Sequence, residues 1–300
     1  MDEELCDVLI LGTGPAGLQA AIHAARKKVS VFVLGRLHKS SAYRAHIENY
    51  CCISGMTGEV MLNEGRIQAE KSGAQFLDED VIDLSQEEEW FVVHSESGKI
   101  FKSRSLILAM GISRKKLKVP GEKELLGRGV SYCVECDANF YRGEPVVVTG
   151  CESAAVSGAL TLLFYASEVH LVCEELEVSE PMAQQLKEAT IHFHEGRKVK
   201  AIIGESEVKG VLLDDGTRLD VNGIFIELGA KGAIELATKL GVTLDSESMQ
   251  FIVTNKKQEV NIPGVYAAGD ICGPPWQVAK AVGEGCVAGL EAAAYAKKFQ

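Results

Sequence analysis

Two cysteines three positions apart, with a carboxyl beside the second, form the run Cys133-Val134-Glu135-Cys136-Asp137. The sulfurs of a C-x-x-C pair come close enough to close a small ring reversibly, and their neighbours can hold one as the thiolate. Thiolate attack on a foreign disulfide expels a second thiolate. A carboxyl within hydrogen-bond reach can protonate that leaving sulfur or deprotonate the attacking one. The other use for such a carboxylate is to cap a helix. The cysteines could instead form half of a zinc site, but no second C-x-x-C or H-x-x-x-H stands at a suitable spacing, so no metal is expected. Glu135, between the sulfurs, adds a charge that slightly disfavours a thiolate and would tune the redox potential.

A second constellation, Gly12-Thr13-Gly14-Pro15-Ala16-Gly17, points to nucleotide binding. It follows the apolar run Val8 to Leu11, precedes the Ala-rich helical stretch Leu18 to Arg26, and is followed by the β-branched run Val29 to Leu34. That is strand, tight turn, helix, strand. In this arrangement the first glycine permits the turn, the second admits a pyrophosphate to the backbone, the third lets helix and strand approach, and the helix start binds the phosphates.

Stepping along the chain, the run Ser105 to Ala109 reads as a strand ending in Met110-Gly111, and the polar, basic stretch Ser113 to Pro120 as an interdomain linker. A second strand-turn-helix unit follows: the strand Pro145 to Thr149, the turn Gly150-Cys151-Glu152-Ser153, a helix through Tyr165 and the strand Glu168 to Val172. The last block runs from Val260 to Gly269-Asp270 and then into a helical Ala- and Gly-rich tail.

The 300 residues suffice for two modest domains, and 46% hydrophobic residues are ordinary for a globular chain. A net charge of −11 argues against nucleic-acid or anionic-membrane partners, which demand clustered positive charge. No apolar run reaches the roughly 20 residues of a membrane span, and Met1-Asp2-Glu3-Glu4 lacks the positive start of a secretory signal, so a cytoplasmic protein is expected. Nine cysteines, an odd number, fit a reducing compartment with a few special thiols. Cys6, Cys51, Cys52, Cys173, Cys272 and Cys286 read as buried packing residues.

In their order along the chain, the glycine fingerprint, the Ala109-Met110-Gly111 turn, the Cys133 to Asp137 run flanked by Gly129-Val130-Ser131-Tyr132 and Phe140-Tyr141, and the Gly269-Asp270 pair resemble the low-molecular-weight thioredoxin reductases. The likeness covers nearly the whole chain. It implies an α/β fold of two Rossmann-like nucleotide-binding domains of the three-layer ββα type. The FAD-binding domain, residues 1–114 and 230–300, would be interrupted by an NAD(P)-domain-like unit, residues 115–229, that carries the dithiol.

The resemblance implies FAD as cofactor, with Gly12, Gly14, Pro15, Ala16 and Gly17 at the pyrophosphate, Asn49 beside the flavin, and Gly111 and Gly269 in the turns around it. It places Asp270 on a ribitol hydroxyl, unless that residue caps the tail helix. Gln277 and Val278 would face the pyrimidine edge, where backbone donors at a helix start stabilise an anionic reduced ring. Trp276 would shield the ring or pack in the core. By the same resemblance Cys136 exchanges electrons with the flavin, Cys133 attacks the partner's disulfide, and Asp137 moves the proton. Thioredoxin or a similar small disulfide protein would be the partner, and the assembly a homodimer with a domain rotation. One departure lies in this site: the family's Gly-Gly-Gln stretch is replaced by Leu37-His38-Lys39-Ser40.

The second nucleotide unit departs further. Glu152 replaces the second glycine of the family's G-x-G-x-x-A, and Glu174, Glu175 and Glu177 stand where the family keeps cations for the NADPH 2′-phosphate. Two like charges about 4 Å apart at an effective dielectric of about 20 repel by about 4 kcal/mol, or about three decades of affinity. NADPH is therefore not expected as donor, and NADH is less strongly excluded. In this respect the chain resembles the pyridine-nucleotide-independent branch that takes electrons from ferredoxin, for which Arg114, Lys115, Lys116 and Lys118 would offer a basic docking patch unless they are simply a solvated linker. An oxygen-discharging dithiol oxidase and a non-catalytic flavin-binding sensor are the competing readings.

Overall fold

The computed structural model describes residues 3–51, 53, 55–112, 116–229, 233–247 and 249–300, with the backbone alone at 135 and 136. The chain divides into two units, Met1–Ser113 with Ala233–Gln300, and Arg114–Gly232.

The first unit opens with β1 (Glu3–Leu11), α1 (Pro15–Arg26), β2 (Val31–Leu34), the short pair β3 (His46–Ile47) and β4 (Met56–Thr57), α2 (Gly58–Lys71) and β5 (Ala74–Leu77). An antiparallel meander follows: β6 (Val81–Glu87), β7 (Trp90–Ser95) and β8 (Ile100–Leu108). Strands β5, β2, β1 and β8 lie side by side and parallel. Such strands are covered on both faces and read as unbroken apolar runs. Accordingly Val8 and Ile10 face one core with the alanines of α1, while Leu9 and Leu11 face a second core with Leu84, Phe101 and Leu106. Strand β1 starts at Glu3 rather than Val8, because backbone pairing with Ile100–Ser103 of β8 carries it beyond its apolar stretch.

The second unit contains β9 (Val130–Ser131), α3 (Val134–Asp137), β10 (Pro145–Thr149), α4 (Ser153–Leu162), β11 (Glu168–Cys173), α5 (Glu180–Glu188) and β12 (His192–Glu195). It continues through β13 (Val199–Ile203), β14 (Gly210–Leu213), β15 (Arg218–Leu219) and β16 (Gly223–Ile226). A parallel sheet in the order β12-β11-β10-β16-β9 and the three-stranded antiparallel sheet β13-β14-β15 enclose a core of Val147, Val172, Ile202, Val211 and Ile224. Helix α4 stops at Leu162, and Tyr165 lies in the turn after it.

The first unit then resumes with α6 (Ala233–Lys239), β17 (Val265–Ala267) and α7 (Val278–Ala296). Strand β8 forks: its first half pairs with β7, and its second half, Leu106–Leu108, with β17. The alanines and glycines of the tail let α7 lie against α1. A Cβ at Gly285 would fall 2.2 Å from the Ala16 carbonyl oxygen. The fold is thus mixed α/β with two Rossmann-like parallel sheets. None of the described helices is long and apolar enough to cross a membrane, and no described cluster of His, Cys, Asp and Glu could hold a metal ion.

Two expectations need correction. Of the six cysteines read as buried, Cys6 and Cys173 are, but Cys51 is exposed and Cys272 and Cys286 are only half-buried; Cys52 lies outside the described residues. Trp276 is 58% exposed and is not a core aromatic.

Candidate functional site

The turn between β1 and α1 is set by close backbone approaches. Gly12 has φ +113°, and a Cβ there would fall 2.3 Å from the Ala109 carbonyl oxygen. At Gly17 a Cβ would fall 1.9 Å from the Gly12 carbonyl oxygen, so helix and turn can touch only if that side chain is absent. Gly14 is the N-cap of α1 and Pro15 its first residue. The first-turn N–H groups of a helix have no intrahelical acceptor, and they carry the positive end of its dipole. They are suited to a pyrophosphate.

Two other strand ends meet this turn. Ala109 N–H donates to Leu11 O at 2.8 Å, and Ala268 N–H donates to Leu108 O at 3.0 Å. A Cβ at Gly269 would lie 3.0 Å from that of Ala16. Gly12, Gly111 and Gly269 thus follow the C-terminal ends of the neighbouring parallel strands β1, β8 and β17, where open α/β sheets bind ligands. Asp270 begins a short 3-10 turn and does not cap α7; Gln277 does. The Asp270 carboxyl is half-buried, and burial raises its pKa, with Lys280 opposing. Val278 opens α7, and Asn49 Nδ2 donates to Gln277 Oε1 at 2.7 Å. Residues 228 positions apart are thereby joined.

Lys280 and Glu284 escaped sequence reasoning, although their i,i+4 spacing on the tail helix was a signal. Lys280 Nζ donates to Gly269 O and to Gly273 O, each at 2.7 Å, and lies 3.1 Å from Glu284. Glu284 Oε2 accepts the Gly269 N–H at 2.8 Å. The pair holds the Gly269–Gly273 loop at both ends. At the departure from the family pattern, Lys39 binds Asp80 at 2.8 Å and Arg36 binds both Asp80 and buried Glu96. Ser40 lies beside Gly14.

In the second unit Cys133 is buried and disulfide-bonded. The side chains of Glu135 and Cys136 lie outside the described residues, as do Arg114 and Lys115 of the basic stretch. Buried Ser131, missed in the sequence, accepts the Cys133 N–H at 3.0 Å and donates to Asp137 Oδ2 at 2.6 Å. One hydroxyl therefore links the disulfide's backbone to the candidate proton carrier. Glu227, at the end of β16, accepts the Val134 N–H at 3.3 Å where α3 begins. Glu122 accepts the Leu117, Lys118 and Val119 N–H groups and the Tyr132 hydroxyl, anchoring the end of the expected linker.

The second strand-turn-helix is closed upon itself. Glu152 is the N-cap of α4, and the Ala154 N–H donates to Gly229 O at 3.2 Å. The chain after β11 folds over the turn: the Glu174 N–H donates to Cys151 Sγ at 3.2 Å, and the Glu177 N–H to Cys151 O at 2.7 Å. The Ala154 N–H in the first turn, and the oxygen and sulfur of Cys151, are thus engaged internally. One cation does reach the acidic strand end, since Lys198 Nζ lies 2.8 Å from Glu174.

Over residues 6–285 the chain matches the family described as pyridine nucleotide-disulphide oxidoreductase. It is 31% identical over 311 residues to the thioredoxin reductase of Bacillus subtilis (strain 168), covering 100% of this chain and 97% of that relative. Among solved structures, the atypical thioredoxin reductase TRi from Desulfovibrio vulgaris Hildenborough is similar with a TM-score of 0.83 and 33% identity, covering 97% of this chain and 98% of that one. A ferredoxin-flavin thioredoxin reductase from Clostridium acetobutylicum is similar with a TM-score of 0.70 and 31% identity, covering 99% and 100%.

Proposed function

Because the chain belongs to the pyridine nucleotide-disulphide oxidoreductase family and is a thioredoxin reductase-like flavin disulfide oxidoreductase, we propose that it passes electrons from a non-nicotinamide donor, a ferredoxin, to thioredoxin or a similar protein disulfide. FAD, when bound, supplies the conversion between one-electron and two-electron transfer. The observation that carries the reading is the turn at Cys151 and Glu152, over which the chain after β11 folds through its hydrogen bonds to Cys151.

In this proposal residues 1–114 and 230–300 hold FAD. Gly12, Gly14, Pro15, Ala16 and Gly17 hold the pyrophosphate at the start of α1, and Gly111 and Gly269 line its turns. Asp270 takes a ribitol hydroxyl, a use that suits a half-buried carboxyl held by no described side chain. Asn49, Gln277 and Val278 border the ring. Residues 115–229 carry Cys133 and Cys136, the latter the sulfur that exchanges electrons with the flavin.

The dithiol then works by exchange. The Cys133 thiolate attacks one sulfur of the partner's disulfide, a mixed disulfide forms, and the expelled partner thiolate takes a proton from Asp137. Cys136 next attacks Cys133, which closes the Cys133–Cys136 disulfide and releases the partner's second thiol. Ser131 fixes the Asp137 carboxyl against this site. The enzyme works as a homodimer in the cytoplasm, and Lys116 and Lys118, both exposed, belong to the surface that meets an acidic ferredoxin.

An anaerobic visible spectrum tests the reading, with reduced ferredoxin, NADPH and NADH added separately. Bleaching of the flavin band by ferredoxin alone, and its return on adding oxidised thioredoxin, is the expected result. Rapid bleaching by either nicotinamide overturns it.

A further inference from the structure

Outside the C-x-x-C run, two further cysteines lie together at the ends of neighbouring strands. Cys151 sits in the turn after β10, and Cys173 is the last residue of β11. The two strands are parallel neighbours with Thr149 opposite Val172, and the Gly150 N–H donates to Val172 O at 3.1 Å, so the register brings the cysteines together. Their sulfurs are hydrogen-bonded to each other. Neither is disulfide-bonded; Cys173 is 1% exposed and Cys151 is half-buried.

The surroundings treat the two unequally. Cys151 Sγ accepts the Glu174 N–H at 3.2 Å and also the Glu175 N–H, at the start of the 10-residue helix α4. The Lys198 ammonium, 2.8 Å from the Glu174 carboxylate, adds positive charge nearby, while Glu177 opposes. The hydrogen bond from Cys173, followed by those backbone donors, holds the Cys151 thiol down at about 6. Cys173, donating to that sulfur and buried, is pushed up and stays a thiol. A half-exposed thiolate beside a buried thiol is the arrangement of an attacking and a resolving cysteine.

We propose that Cys151 and Cys173 are a second redox site, in which Cys151 reacts with hydroperoxides and Cys173 resolves the product to an intramolecular disulfide. The Cys151 thiolate attacks the outer peroxide oxygen, the O–O bond breaks, and the leaving oxygen takes a proton from water to depart as water or an alcohol. Cys151 is left as the sulfenic acid. The Cys173 sulfur then displaces its oxygen, which leaves as water with the thiol proton. The hydroperoxide gains two electrons and the two cysteines lose them. The turn that elsewhere would take a nucleotide thus holds an oxidant-reactive thiol.

The test uses the FAD-loaded full chain, reduced, freed of reductant, titrated with hydrogen peroxide, and then unfolded in denaturant containing N-ethylmaleimide so that buried thiols are labelled too. No lysine or arginine lies between Gly143 and Lys187, so one tryptic peptide carries both cysteines and no other. As peroxide rises, that peptide is expected to lose both maleimide labels together and become lighter by two hydrogens while Cys286 stays labelled. C173A is expected to trap a dimedone adduct at Cys151, and in C151A Cys173 keeps its label at every dose. Retention of both labels while the Cys133-containing peptide is oxidised overturns the proposal. So does over-oxidation of Cys151 with Cys173 still labelled. The wild-type peptide mass decides the matter even if a variant fails to fold.

Discussion

Replacing Lys280 by methionine keeps the aliphatic stem and removes the ammonium. That ammonium donates to the Gly269 and Gly273 carbonyls at 2.7 Å each, and it lies 3.1 Å from Glu284. A hydrogen bond to a charged group contributes about 1.5–3 kcal/mol. The Lys280 side chain is 15% exposed, so water replaces part of the loss and the lower figure applies, giving about 3 kcal/mol for the two bonds. The ion pair adds less than about 0.5 kcal/mol, because both partners keep some solvent. If half the loss falls on ligand binding, the FAD dissociation constant rises about tenfold. The other half lowers the melting temperature by about 3–6 °C. Deflavinated K280M titrated with FAD by fluorescence quenching, alongside thermal unfolding of the same protein, measures both. Wild-type affinity together with wild-type melting would refute the role given to this lysine, and K280R is expected to lie between the two.

G17A is expected to purify without the flavin band near neutral pH, since its Cβ would fall 1.9 Å from Gly12 O; a yellow G17A would show that the turn yields. S131A leaves Asp137 and the Cys133 N–H without their shared partner, so thioredoxin reduction should slow by about tenfold for a loss of about 1.5 kcal/mol, with flavin content unchanged. The Cys6 thiol is pushed from 9.0 up to about 12 by burial. The unfolded chain therefore releases that proton first, and stability, full below about pH 9, falls by up to about 1.4 kcal/mol per unit as pH rises toward 12. Urea unfolding of C6A should show a shallower alkaline slope than wild type, and equal slopes would contradict this. E152G should still fail to respond to NADPH in the visible spectrum, because Glu174 and Glu177 remain folded onto Cys151; bleaching would show that the Glu152 side chain was the sole obstacle.

The parallel cores of both units were legible because strands buried on two faces must be apolar almost throughout, as Val8 to Leu11, Leu106 to Ala109 and Val146 to Val148 are. The meander β6–β7 and the sheet β13–β15 were not, since strands such as Val81–Glu87 interrupt their apolar residues with polar ones, here Asp83 and Gln86, and lose the continuous signal. Strand ends also escaped, because the pairing of Glu3 with Ile100 depends on a partner almost a hundred residues away. In the candidate site, glycines and cysteines announced themselves by chemistry and spacing. Ser131, Glu227, Lys280 and Glu284 did not, for each acts through hydrogen bonds whose partners are set by the fold and whose residue types are common everywhere. Cys151 was visible only as a damaged turn; its contact with Cys173 needed the β10–β11 register.

The forked strand β8 bears on how the chain is made. Arg114–Gly232 is contiguous and can fold on the ribosome as soon as it emerges, whereas Leu106–Leu108 must wait for β17, more than 150 residues downstream. Through that interval the apolar end of β8 is an open sheet edge, and the surface of α1 that receives α7 is bare. Open edges and bare apolar faces are what chaperones capture and what aggregates grow from. A chain terminated before Val265 would keep both cysteines of its C-x-x-C run yet lack the strand that completes its first sheet. Such nascent fragments should be far more prone to aggregate than the finished protein.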